Sequence, residues 1–176
     1  METLPLVDED GYGSIFAGTI IMKKSAGILM YRRTQSDVLV LLAHPGGPFW
    51  RKRDEGAWSI PKGEYPEDEP AETAARREFA EEMGHIPDGM LQPLGELRQK
   101  GGKHVVAFAL EGEFDISTLR SNLFEIEWPP RSGRLQSFPE VDRAEWFTLS
   151  DARRKILSSQ LPFLESLEAL GVNSTD

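Results

Sequence analysis

Cysteine does not occur in this chain. Disulfides, thiolate metal sites, iron–sulfur clusters and cysteine nucleophiles are therefore excluded. Any metal must be held by oxygen or by one of three histidines, His44, His85 and His104. Those histidines lack zinc-motif spacing, so hard cations with oxygen ligands become the expectation. No run of about 18 apolar residues is present, and no basic patch precedes an apolar stretch and a small-residue cleavage site at the N-terminus. The reading is a cytoplasmic chain with no membrane contact. Positive charge is also in deficit: a net charge of −9 argues against a nucleic-acid polymer as partner, because backbone affinity there comes from Lys and Arg. The GxxxxGK[ST] phosphate loop is missing too.

With 39% hydrophobic and 28% charged residues, the 176-residue chain fits one globular domain with a real core. The acidity is concentrated. Residues 63–85 hold eight acids, Glu64, Glu67, Asp68, Glu69, Glu72, Glu78, Glu81 and Glu82, against Arg76 and Arg77, so this window carries −6 of the total. Residues 1–21, with scattered Gly11, Gly13 and Gly18, read as an N-terminal extension. Met22, a candidate native start, precedes the first strand pattern, and the domain is expected over 22–172.

Residues 25–31 and 38–43 are short apolar runs that read as a buried hairpin. A Gly- and Pro-rich loop follows, leading into a short strand around Trp58 to Ile60. Residues 70–83 read as a helix: Asp68 or Glu69 offers a cap, Pro70 suits the first turn, alanines favour the interior and Gly84 suits the exit. Further strands are expected over 94–98, 104–110, 124–128 and 144–148, and a closing helix or helix pair over 151–170. This order points to an α/β fold, a mixed β-sheet with helices on both faces.

At 100° per residue, Glu78, Glu81 and Glu82 fall within about a 100° arc of the helix. Like charges at these spacings repel, and anions near a helix C-terminus oppose its dipole. Ala71, Ala74 and Ala75 share or adjoin that arc, so the acids stand on a small-residue side. A solvated acidic face would explain a lone Glu-Glu pair. The flanking Glu69 and Arg77, eight residues apart, tip the balance, since a divalent cation would turn the repulsion into ligation.

Residues 63–85, GEYPEDEPAETAARREFAEEMGH, resemble the Nudix box, G-x5-E-x7-R-E-U-x-E-E-x-G-U with U apolar. The match falls at Gly63, Glu69, Arg77, Glu78, Phe79, Glu81, Glu82 and Gly84. His85 departs from the apolar last position, and Ile86 is expected to take its packing role. Seven fixed letters at roughly one in fifteen each give a chance match of order 10⁻⁸ per position. Flanking features, a Pro-Lys-Gly before the box and a Glu-x5-Trp spacing from Glu140 to Trp146, extend the similarity over about residues 22–165.

The resemblance implies a Nudix-like α/β/α sandwich and hydrolysis of a nucleoside diphosphate linked to another moiety. It also implies Mg²⁺, with Mn²⁺ as a substitute, held by Glu78 and Glu82, by Glu81 directly or through water, and by the Gly63 carbonyl. Two residues compete for the general base: Glu78 itself, and Glu140, which resembles the glutamate many relatives bring over the metals. Glu69, Arg77 and Gly84 take structural roles, Arg77 holding Glu69. Lys62 is the first candidate for a phosphate contact, with Arg32, Arg33, Lys103 and His104 as further cations at strand ends. Trp50, Trp58 and Phe138 are candidates to stack on a base.

The segment SAGILMYRR and the Pro-Lys-Gly are similar to dinucleoside polyphosphate hydrolases. That substrate class, or a nucleoside triphosphate, is expected first. ADP-ribose or inositol-pyrophosphate hydrolysis and a non-catalytic nucleotide-binding module are the alternatives, and the partner is a small nucleotide bound by a monomer or homodimer.

Overall fold

A computed structural model describes residues 15–16, 19–20, 22–99 and 102–173. Within the expected N-terminal extension, β1 (Ile15–Phe16) pairs with β2 (Thr19–Ile20); the remainder of residues 1–21 lies outside the described residues.

The central strand is β3 (Lys24–Arg33), an almost fully buried run whose small and apolar side chains serve both faces of the sheet. It pairs in parallel with β7 (His104–Glu111), and β7 pairs antiparallel with β6 (Gln92–Arg98). On its other side β3 meets two partners in succession. Residues 31–33 pair with β4 (Val38–Pro45), closing the expected hairpin, whereas residues 25–27 pair with β5 (Lys62–Glu64). β10 (Val141–Thr148) pairs with β4 and completes the order β10-β4-β3-β7-β6. Strands β3 and β4 thus splay apart, and the segment from Trp58 to Glu64 fills the wedge. Ser59 exchanges both backbone hydrogen bonds with Ala43 of β4, and the Ile28 N–H donates to the Pro61 carbonyl at 3.1 Å. The strand expected around Trp58 to Ile60 is reduced to these bridges.

Alternate residues of β3 feed separate cores. Ala26, Ile28 and Met30 pack under α1 (Ala71–Met83), against Ala74, Ala75, Phe79 and Met83. Leu29 and Tyr31 point to the other face, where Trp58, Phe147, Phe163 and Leu164 pack beneath α2 (Leu149–Lys155) and α3 (Leu161–Ala169). Helices on both faces of a mixed sheet make the α/β/α sandwich.

Of the expected closing helix or helix pair the structure has the pair, divided at Ile156 and Leu157. Ile156 is extended and bridges Trp58, and the Leu157 N–H donates to the Trp58 carbonyl at 2.8 Å. α1 begins after Pro70 with no side-chain cap: of the two expected caps, Asp68 makes no such bond and Glu69 is held by Arg77. It ends at Gly84, whose φ of 75° is the left-handed conformation that glycine adopts without strain. Ile86 does not take over the packing expected of it: it is 78% exposed, Pro87 and Leu91 are buried instead, and the His85 ring meets Phe114 edge-on. A separate two-stranded ribbon, β8 (Leu123–Glu127) with β9 (Leu135–Pro139), follows β7. Among the described residues no helix is long and apolar enough to cross a membrane.

Candidate active site

Glu78 and Glu82 of α1 face β5. Glu78 is buried, and its carboxylate lies directly over Gly63: a Cβ there would stand 1.8 Å from Glu78 Oε2. That close approach, not a special φ, is what requires glycine. Glu82, one turn on, accepts a hydrogen bond from the Lys62 N–H at 3.1 Å. β5, the Lys-Gly-Glu strand, therefore serves as a backbone floor beneath two of the three box carboxylates.

Arg77 fastens the array. Its guanidinium grips Glu69 with two bonds of 2.9 Å, from Nε and Nη2, while Nη1 donates to Glu78 at 2.7 Å and Glu81 at 3.3 Å. Hydrogen bonding by Arg77 holds the Glu69 carboxyl below its usual range. Two box residues eight positions apart are thus joined by a planar, bidentate contact that Lys would not reproduce.

Glu140 arrives from the far side. Its carbonyl accepts from the Gly46 N–H and its own N–H donates to the Asn122 carbonyl; the Asn122 N–H donates in turn to the Glu81 carbonyl, each at 2.9 Å. Arg120 donates to the Met83 carbonyl at 3.1 Å. The end of α1, the 120–122 segment and the start of β10 are bound through backbone atoms, and this puts Glu140 against the box glutamates. Burial and then the Glu81 charge raise the Glu140 carboxyl above its ordinary value. Burial also raises Glu78, against the pull of Arg77, with Glu81 and Glu140 adding to the rise. Glu82 is pushed up to about 8, first by burial of its carboxylate and then by Glu78 and Glu140, with Lys62 opposing. As a whole residue Glu82 is only half-buried; the carboxylate end is the enclosed part.

This donor set suits a hard divalent cation: carboxylate oxygens and the Gly63 carbonyl, with mutual repulsion that a cation would relieve. Among the described residues no three acidic or histidine side chains stand close enough to hold an ion as they are, since Glu78 is turned to Arg77 and Glu82 to the Lys62 backbone. The donors fit by chemistry and position and would have to turn inward to close on an ion.

The candidate cations separate into near and far. Lys62 stands beside Gly63, its ammonium pressed toward the neutral form by burial and then by Lys103, while Glu82, Glu64 and Glu78 oppose this. Lys103, preceding β7, lies 3.4 Å from Glu64 of β5. His104 is paired with Glu96. Arg32 lies five residues beyond Gly27 on β3, roughly 17 Å along the strand from the residue that pairs with Lys62, where it bonds Glu113 at 2.8 Å and covers Trp146 at 4.4 Å. Arg33 meets Glu111 at 3.5 Å at the same end. The structure brings Lys62 and Lys103 to the carboxylates and leaves Arg32 and Arg33 at the opposite end of the sheet.

Of the aromatic candidates, Trp58 is 1% exposed and belongs to the core, and Trp50 packs against that core beneath Arg53. Phe138 alone stands outside both cores, on β9 two residues before Glu140, alongside Phe49, Phe124 and Trp128, which the sequence did not single out. The cleft of about 510 Å³ lined by Arg33, Asp37, Thr148 and Asn173 lies by the β3–β4 turn, away from all of these carboxylates.

Comparison with known proteins places this geometry. Curated proteins give no sequence match. Solved structures do: the NUDIX domain of Shewanella oneidensis NrtR, complexed with ADP ribose, is 17% identical over 86% of this chain and 90% of its own, with a TM-score of 0.60. A C. elegans Ap4A hydrolase binary complex is 22% identical, covering 87% of this chain and 100% of its own, with a TM-score of 0.57. A mutT/nudix family protein from Listeria innocua is 18% identical over 86% and 94%, with a TM-score of 0.57. A family model described as NUDIX domain matches residues 22–167, and with the box glutamates standing over β5, this chain belongs to the Nudix family of phosphoanhydride hydrolases.

Proposed function

We propose that the chain is a Mg²⁺-dependent pyrophosphohydrolase, with Mn²⁺ able to substitute. Its substrate is proposed to be a dinucleoside polyphosphate or a nucleoside triphosphate. The observation that carries this reading is the delivery of Glu140, through a run of backbone hydrogen bonds, against Glu78, Glu81 and Glu82 of α1. Glu78, Glu81, Glu82 and the Gly63 carbonyl would hold the ions. A bound divalent cation neutralises the polyphosphate and makes an attacking water more acidic. Glu140, raised above the ordinary carboxylate range, is placed to accept the water's proton, since a base works best with a pKa near the operating pH. Lys62 and Lys103 would meet the phosphate oxygens, Lys62 on the strand that also carries Gly63 and with its charged form, disfavoured by burial, favoured again once a phosphate stands beside it. Arg77 keeps Glu69, Glu78 and Glu81 in one plane of contacts and so acts as a positioning residue.

A likeness to the C. elegans Ap4A hydrolase supports the dinucleotide choice, and the ADP ribose bound to the NrtR domain supports ADP-ribose as second reading. A module without turnover would have no reason to keep the mutual repulsion of Glu78, Glu82 and Glu140. The test is a panel of diadenosine polyphosphates, nucleoside triphosphates, ADP-ribose and inositol pyrophosphates incubated with Mg²⁺ and resolved by chromatography. Turnover of a diadenosine polyphosphate or triphosphate ahead of the others is the expected result. Turnover of none of them with either metal would overturn the assignment.

A further inference from the structure

The β8–β9 ribbon has two unlike faces. Leu123, Glu125 and Glu127 of β8, with Leu135 and Ser137 of β9, are exposed on one; Phe124, Ile126 and Phe138 are half-covered on the other, and Trp128 continues that face past the strand end. Phe124 and Phe138 are cross-strand partners with ring centroids 6.1 Å apart. The glycine loop after β4 comes up to this face: a Cβ on Gly47 would lie 2.9 Å from the Phe124 ring, and Phe49 meets Trp128 edge-on at 5.4 Å. None of these rings belongs to either core, and Phe49 is 64% exposed. A ring that only glued the loop to the ribbon would be buried; this one keeps most of its surface in water.

The position of the patch argues for its occupant. β9 runs directly into Glu140, so at about 3.3 Å per residue Phe138 stands roughly 7 Å from it, and Trp128, paired with Arg134, roughly 20 Å. The loop is joined to the same point, because the Gly46 N–H donates to the Glu140 carbonyl. On a chain of net charge −9, Arg51 and Lys52 follow Trp50, and Arg131 and Arg134 stand in the ribbon turn; among the described residues these four make no ion pair. Rings beside free cations suit a flat aromatic group attached to a polyanion, since bases stack on aromatic faces whatever their sequence and cations meet phosphate.

We propose that the aromatic face of the β8–β9 ribbon, closed by Phe49, is a stacking platform for a nucleobase of the substrate, whose phosphates lead back past Glu140 to the α1 glutamates. The assignment rests on the hydrolase reading for its substrate class. Two measurements test it on the full chain in Mg²⁺. In the first, Phe49→Ala raises KM for the nucleotide that the wild type cleaves best by roughly 10- to 100-fold and leaves kcat within about threefold, while Phe49→Trp restores it. In the second, tryptophan fluorescence is titrated with ATP and with inorganic tripolyphosphate. ATP quenches and tripolyphosphate does not, and Trp128→Phe loses the signal. Unchanged KM in Phe49→Ala, or equal quenching by the base-free anion, overturns the platform. So does a response to nucleotide that appears only as a rise in molecular mass, which would make the patch a contact between copies. A wild type that turns over no nucleotide fails the hydrolase reading alone, because the two titrations still decide the platform.

Discussion

Glu82 and Glu140 are both acids raised above their ordinary range, yet they are held differently, and substitution should separate them. Glu82 accepts from the Lys62 backbone inside the α1–β5 interface; Glu140 is fixed through its own backbone and offers its side chain from the opposite side. Glu82→Gln keeps the shape, removes a ligand charge and relieves repulsion with Glu78. Loss of residues that merely support ligands costs about 10–100-fold, so loss of a ligand should cost roughly a hundredfold or more in kcat/KM, with native circular dichroism. Full turnover by a folded Glu82→Gln would remove it from the metal set. For Glu140→Gln the expected loss is in kcat, about 10²–10⁴-fold, with KM nearly constant, as for an interaction made chiefly in the transition state. A loss below about tenfold would return the role of base to Glu78. Glu78→Gln belongs beside it: if the double variant is no slower than either single one, the two residues act on one step.

Elements differed in how plainly the sequence announced them. α1 was legible because its signals are local: alanines inside, Gly84 at the exit, and acids on a small-residue arc that the structure turns toward β5. β5 was not, because Lys-Gly-Glu has no strand character of its own and is extended only where β3 and β4 splay. β9 was missed for a similar reason, being a polar, proline-ended run ordered by β8. The aromatic face was invisible because Phe49 and Trp128 are about 80 residues apart and neither follows a periodic pattern. Trp58 shows the reverse error, since a lone tryptophan in a loop-like segment proves to be the plug between strand wedge and helices. β5 carries its own prediction. Ala at Gly63 meets no backbone strain, as its φ is not among the positive values, but its Cβ would occupy the space of Glu78 Oε2. Gly63→Ala should therefore fold and melt within a few degrees of the wild type and lose at least roughly tenfold in kcat, because Glu78 must swing aside. Wild-type kcat in Gly63→Ala would show that Glu78 does not work from this position.

At the scale of the whole molecule, the repulsion stored in the site should govern how stability answers to pH and metal. Glu82 is pushed up to about 8, and Glu78 and Glu140 are raised as well, whereas carboxylates in the unfolded chain titrate near about 4.3. A carboxylate raised in the folded state keeps its proton longer there than in the unfolded chain. Between about pH 4.3 and about pH 8 the folded state binds more protons, so stability falls as pH rises through that window. Below it both states are protonated, and above it both are ionised and the penalty is constant. For Glu82 the fall would be about 5 kcal/mol in a site closed to water and is smaller, on the order of a few kcal/mol, because the residue is only half-buried; at this chain length that is still several degrees in Tm. A divalent cation held as proposed would bind only the folded, deprotonated site, so its stabilisation, about 2.7 kcal/mol at a hundred times its Kd, should be small near pH 5.5 and large near pH 8. Melting curves with chelator and with millimolar Mg²⁺ across that range are expected to diverge as pH rises. Glu82→Gln should flatten the chelator curve and shrink the gap, which separates the site from every other titrating group in the chain. Parallel curves for the wild type, with and without metal, would mean that the glutamates of α1 do not bind the proposed divalent ion.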